Sequence, residues 1–184
     1  DVGGDKNGTT QNENVLQEKK RPRIIEAILY ITNQIKWVDI HPSWPTGENP
    51  SGELKQSKKR GIQRQNETML FLASLGYKVV ALKEILGGNG YGLSPNANPD
   101  CLVEGHVFEI YAPDAYTNID GIITKVNRKS QKQSPNILLN LNDYQGDVNV
   151  LISNIKRQRH PKGSLKHLGI LLIILDGKII NVFE

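Results

Sequence analysis

Asn98-Pro99-Asp100-Cys101-Leu102-Val103-Glu104-Gly105-His106-Val107-Phe108-Glu109-Ile110-Tyr111-Ala112-Pro113 is the stretch that decides the fold. Prolines bracket it, and apolar residues flank Glu104-Gly105 on both sides. Glycine supplies the positive φ that a two-residue turn needs, so the stretch reads as a β-hairpin. With Glu104-Gly105 at the turn, Val103 pairs with His106, Leu102 with Val107, Cys101 with Phe108 and Asp100 with Glu109. Two carboxylates then face each other with Cβ atoms about 5 Å apart, an arrangement that destabilises a sheet by itself. A bound cation or a shared proton is the usual compensation. A one-residue slip in register would put the two acids on opposite faces.

Upstream of the hairpin, Ile62 to Leu75 has helical spacing and is closed by Gly76. Ile62, Met69, Leu72 and Ala73 form one apolar face, and Phe71 and Leu75 extend it, so this helix is expected to be buried over much of its circumference. Glu67 lies within that pattern, with Arg64 or Lys78 as a near partner. Tyr77 to Leu82 is a short strand-like run. The glycines of Gly87-Gly88-Asn89-Gly90-Tyr91-Gly92 lack the Lys-Ser/Thr of a phosphate-binding loop and do not join a strand to a helix, so they are read as a mobile connection.

Downstream, Ile119, Ile122, Ile123 and Val126 recur at i, i+3, i+4 and i+7, an amphipathic helix. It carries Lys125, Arg128, Lys129 and Lys132, and its apolar face extends to Gln133. Ile137-Leu138-Leu139-Asn140-Leu141 is a buried strand, and a short helix covers Val148 to Arg157. Two apolar runs around Asp176-Gly177 form a second hairpin. The order is helix, strand, hairpin, helix, strand, helix, hairpin: an α/β fold with a mixed sheet flanked by helices.

The 184 residues suffice for a domain at 61–184 preceded by an extension at 1–60. Residues 1–17 are a polar tail, Ile24 to Val38 has helical spacing, and 39–60 is a turn-rich connection across the surface. Net charge is +4 and the pI about 9.1. The positive charge is clustered at Lys58, Lys59, Arg60 and Arg64, at Arg128, and at Lys156, Arg157 and Arg159, which points to a polyanion such as RNA or DNA. One cysteine excludes an intrachain disulfide, and the four histidines have no metal-ligand spacing. No apolar run is long enough to span a membrane. The absence of an initial methionine suggests a module excised from a longer protein.

Asp100 and Glu109, a further acid at Glu67 and a lysine on the following helix suit phosphodiester hydrolysis. Carboxylates hold a hard divalent cation, and a lysine steadies the developing charge. The pattern resembles the PD-(D/E)xK nuclease superfamily, with Pro99-Asp100 as its first element and Glu109 as its second acid. Tyr111 stands where that motif has lysine, so the lysine must come from the helix, as Lys129 or alternatively Lys125 or Lys132.

A narrower resemblance spans about residues 60–184. It runs through Gln65-Asn66-Glu67-Thr68, Gly76-Tyr77-Lys78-Val79, Asn98-Pro99-Asp100, Gly105 to Pro113, Lys129, Lys132-Gln133 and Asn136 to Leu141. In this pattern the chain resembles the tRNA-nuclease toxin domain at the C-terminus of CdiA contact-dependent growth inhibition proteins and related polymorphic toxins. The resemblance implies a metal-dependent tRNA endonuclease, with Mg²⁺ as the first choice of metal and Mn²⁺ or Zn²⁺ as others. It implies Glu67, Asp100 and Glu109 as acidic residues and metal ligands, with a helix lysine and Gln133 completing the site. It further implies delivery as part of an exported or cell-surface protein, action in the cytoplasm of a target bacterium, and a cognate immunity protein, expected to be acidic. The alternatives are a DNA endonuclease toxin and a basic nucleic-acid-binding or delivery module whose carboxylates are inert.

Overall fold

Glu104 (φ 50°) and Gly105 (φ 80°) form the first hairpin turn, and Asp176 (φ 48°) and Gly177 (φ 73°) the second. Positive φ at both central residues gives the turn whose twist matches that of the flanking strands. The computed structural model describes residues 40–183, so the polar tail and the helix expected at Ile24 to Val38 lie outside the described residues.

The elements are α1 (Arg60–Ser74), β1 (Val79–Ala81), β2 (Cys101–Val103), β3 (His106–Tyr111), α2 (Ile119–Lys132), β4 (Ile137–Asn140), α3 (Val148–Gln158), β5 (Leu171–Leu175) and β6 (Lys178–Asn181). The strands form one sheet in sequence order, β1-β2-β3-β4-β5-β6. The central strands β3, β4 and β5 are parallel, and antiparallel pairs flank them on both sides. Cys101 pairs with Phe108, Leu102 with Val107 and Val103 with His106, the register read from the sequence.

The faces of the sheet follow from strand alternation. On one side Met69, Leu72 and Ala73 of α1 pack on Val79, Cys101, Val103, Phe108, Ile110 and Leu138. On the other, Ile122, Ile123 and Val126 of α2 and Leu151 and Ile155 of α3 pack on Ile137, Leu139, Leu171 and Ile173. The result is a three-layer α/β/α sandwich. Because β3–α2–β4 and β4–α3–β5 are parallel crossovers, the carboxyl ends of β3 and β4 open at one edge of the sheet. α2 starts where the Asn118 side chain accepts from the Gly121 N–H at 2.7 Å, and α3 where Asp147 accepts from Val150 at 3.1 Å.

Two expectations differ from the structure. α1 does not bury most of its circumference: Leu70 and Leu75 are exposed and Phe71 half-buried, because α1 is the one described helix on its face. The connection 83–99 is not loosely attached. Asn89 Nδ2 donates to the carbonyls of Lys83 and Pro99, and the Leu93 and Ser94 N–H groups donate to Gln133 and Lys132 at the end of α2. Residues 40–59 lie against the domain: Ser51 pairs with β1, exchanging backbone bonds with Val79 and Ala81, and Ile40 and Leu54 pack on the α1 side of the core. Ser51 thereby occupies the β1 edge that would otherwise be open.

Leu138 is 0% exposed at the centre of β4, whereas Leu86 projects fully into solvent. Leu138→Ala is expected to destabilise the domain by about 2–5 kcal/mol, and Leu86→Ala to change stability by no more than about 0.5 kcal/mol. Urea denaturation of both variants tests the layer assignment, and equal effects would contradict it.

Candidate active site

Asp100 sits one residue before β2, next to the Cys101–Phe108 pair, and so opposite Glu109 of β3, which is level with Ile137 at the start of β4. One Asp100 oxygen accepts from the Ile110 N–H at 2.8 Å, and the other accepts from Gln65 Nε2 of α1. Glu109 is only 3% exposed. Its Oε2 accepts from Lys129 Nζ of α2 at 2.6 Å, while its buried Oε1 has no hydrogen-bond partner among the described residues.

The electrostatics follow from counting charges. Two carboxylates face one ammonium in a buried place, which leaves one negative charge uncompensated. Burial, and then the facing Asp100 carboxylate, push the Glu109 carboxyl from its ordinary 4.5 up to about 9, against the downward pull of Lys129. The pair therefore takes up a proton at neutral pH unless a cation stands against it. The residues fit a hard cation: two carboxylates, one with a buried oxygen that has no partner among the described residues, and Gln65 against Asp100. Among the described residues, no three His, Cys, Asp or Glu side chains converge as a metal-holding cluster.

Glu67 stands apart from the pair. Its Oε1 is 3.5 Å from Arg64 Nη1 and its Oε2 accepts from Asn140 Nδ2 at 3.1 Å. The sequence left three lysines open, and Lys129 is the one that reaches Glu109. Lys125 is half-buried, and burial together with the Arg128 and Lys129 charges holds it below the ordinary lysine range. Lys132 is exposed at the end of α2. Gln133 is the half-buried C-terminal cap of α2, with its N–H bonded to the Lys129 carbonyl. Its Oε1 accepts from the Asn98 N–H at 3.0 Å, so it anchors the backbone two residues before Asp100. Tyr111 packs against the core on the α2 side, and Cys101 is buried on the α1 side.

Of the basic residues, Lys58, Lys59, Arg128, Lys156 and Arg157 are exposed. Arg60 and Arg64 lie at the carboxyl edge and bind Asp143. Arg159 lies over the Phe183 ring at 3.9 Å and donates to the Leu168 carbonyl at 3.0 Å, so its side chain is engaged in packing rather than extended toward a polyanion.

Gln65, Asn140 and Asp143 were not singled out as site residues from the sequence. Two of them carry a signal in retrospect. Asn140 is a polar residue inside the apolar run Ile137 to Leu141, and Gln65 falls on the buried face of α1. Asp143, at the turn after β4, gives no such sign.

Residues 97–179 match the family of the contact-dependent growth inhibition CdiA C-terminal domain, so the resemblance to CdiA C-terminal toxin domains holds over that stretch. Over 85 residues, 46% of this chain, it is 39% identical to the tRNA nuclease CdiA-2 of Burkholderia pseudomallei (strain 1026b), of whose length the match spans 2%. It is also similar in structure to a chain of the CdiA-CT/CdiI toxin and immunity complex from Burkholderia pseudomallei, with TM-score 0.56 and 29% identity over 72% of this chain and 97% of that one.

The raised Glu109 carboxyl has a definite sign in stability. A folded-state value above the unfolded one contributes stability fully present below about pH 4.5 and lost as pH rises through about 9. With a chelator present, wild type is expected to lose stability across that window relative to Glu109→Gln, which cannot ionise. Denaturation midpoints of both proteins from pH 5 to 9 test this, and parallel profiles would refute the shift.

Proposed function

We propose that the chain is a metal-dependent endonuclease that hydrolyses phosphodiester bonds of tRNA, the toxic C-terminal module of a contact-dependent growth inhibition protein. The observation that carries the reading is the buried Asp100–Glu109 pair with Lys129 Nζ 2.6 Å from Glu109. The similarity to a protein named as a tRNA nuclease favours RNA over DNA as the substrate. The similarity to a toxin and immunity complex supports an immunity protein as partner. Delivery from a larger protein into the cytoplasm of a target bacterium belongs to the same reading, as does the acidic character of the immunity protein, which would complement the basic surface. We read Pro99-Asp100, Glu109 and Lys129 as a PD-(D/E)xK set whose lysine has moved from the strand to the neighbouring helix. The lysine head reaches the second acid from there, which supports that reading.

Asp100 and Glu109 would hold the divalent cation, Mg²⁺ first, which polarises a phosphate and acidifies its water when bound. The protein's own groups do the rest. Gln65 Nε2 and the Ile110 N–H orient Asp100. Lys129 fixes Glu109 and presents its remaining N–H groups toward charge developing on the phosphate. Burial of Glu109 in the sheet lowers the local dielectric, so each of these contacts acts more strongly than at the surface.

Purified protein should cleave tRNA with Mg²⁺ and not with EDTA, leaving plasmid DNA intact. Asp100→Ala, Glu109→Ala and Lys129→Ala should each reduce the rate by at least about 100-fold. Intact tRNA under all metal conditions, or alanine variants that cut at the wild-type rate, would refute the proposal. Calorimetric titration with Mg²⁺ in buffers of different ionisation enthalpy should also show proton release, because the cation displaces the proton held by the acidic pair.

A further inference from the structure

Asp143 follows β4 at the carboxyl edge and accepts three charge-assisted hydrogen bonds from two arginines of α1. Arg64 Nε and Nη2 donate at 2.8 and 2.9 Å to its two oxygens, a bidentate fork, and Arg60 Nη1 donates at 2.9 Å. Arg60 Nη2 donates to the carbonyl of Ala112, three residues after Glu109, at 2.8 Å. The third arm of Arg64 reaches Glu67, whose other oxygen is held by Asn140. Asn140 Nδ2 also donates to Thr68 Oγ1, and its Oδ1 accepts from the Asn142 N–H. The end of β4 thus fixes one face of α1 side chain by side chain.

A guanidinium carries five N–H groups. Arg60 and Arg64 together direct five of their ten to Asp143, Ala112 and Glu67, which leaves about five for another acceptor. Both side chains are partly exposed, at 43% and 33%. The Asp143 oxygens are already occupied, so Asp143 acts through the arginines and not on a ligand. The hydrogen bond from Arg64, together with Arg60, holds its carboxyl below the usual aspartate range despite burial.

We propose that Asp143 is a positioning residue: it holds Arg60 and Arg64 as a preorganised guanidinium pair that receives a backbone phosphate of the nucleic-acid substrate, and through Arg64 it sets Glu67. The proposal rests on the nuclease reading above. Planar forks fixed before binding lose little freedom on meeting a phosphate, which is how a positioned arginine pair contributes to rate as well as affinity.

Asp143→Asn separates this role from simple electrostatics. The substitution removes a negative charge beside the substrate, so charge alone makes RNA binding tighter and leaves turnover intact. Positioning requires the opposite in turnover: kcat on tRNA should fall roughly 10- to 100-fold with KM unchanged or lower. Asp143→Glu should restore part of the rate. The melting temperature of each variant is measured alongside, and rates are compared well below it. A wild-type kcat in Asp143→Asn overturns the proposal, as does a loss of rate that is recovered fully at lower temperature. Binding of a 2′-O-methyl RNA, which resists cleavage, reads the arginines without any turnover. In Arg60→Gln/Arg64→Gln, the slope of log affinity against log salt should shrink by about one to two contacts' worth. An unchanged slope overturns the phosphate assignment. If wild type cuts no RNA, the nuclease reading fails, while the salt slope still decides whether the arginine pair meets a phosphate.

Discussion

The burial of Glu109 is the constraint on which the rest of the site depends. A carboxylate at 3% exposure is tolerated only with compensating charge and hydrogen bonds. Here the nearest acid, Asp100, makes the problem worse and Lys129 relieves part of it. The arrangement follows from the first hairpin. The Glu104-Gly105 turn fixes the Cys101–Phe108 register, and that register carries Asp100 to the rung beside Glu109. The turn itself is secured by its own side chain, since Glu104 accepts from the Ser43 and Lys78 N–H groups at 3.0 and 2.8 Å. A surface contact with 40–59 thus helps hold the register that brings two acids together in the interior.

Glu109 could be neutralised more cheaply by a second lysine or an apolar replacement, because removing a buried ionic group in favour of packing is often neutral or stabilising. The residual negative charge beside an orphaned oxygen is instead the feature expected of a cation site. The same feature accounts for the raised carboxyl: with no cation, a proton takes its place. Stability and proposed chemistry are therefore opposed at one residue, a common pattern where sites carry strain that the scaffold must absorb.

Much of the fold was legible in the sequence because its signals are local. Two acid-glycine turns between apolar runs set both hairpins, and the i, i+3, i+4, i+7 spacing from Ile119 sets α2. The opposition of Asp100 and Glu109 was legible for the same reason, since a two-residue turn leaves little choice of register. The choice among Lys125, Lys129 and Lys132 was not, because it depends on the tilt of α2 across the sheet. A residue's place on a helical wheel gives its angle and not its reach. Leu75 was misread because the sequence does not say how many layers cover α1.

Asp143 illustrates a deeper limit. It lies 79 residues from Arg64 and 83 from Arg60, and no periodicity connects them. What joins them is topology: α1 lies across β3 and β4 on one face, so its first turns come over the carboxyl edge where β4 ends. Lys129 reaches Glu109 from the opposite face, while Glu67 and Gln65 descend from α1. Side chains from the two faces of a sheet can meet only at its edge, because the strands separate them everywhere else. Gln65 therefore meets Asp100 just before β2 begins, and Arg60 and Arg64 meet Asp143 just after β4 ends, whereas Glu109 and Lys129 meet within one face, at the rung where Glu109 pairs with Ile137 at the start of β4.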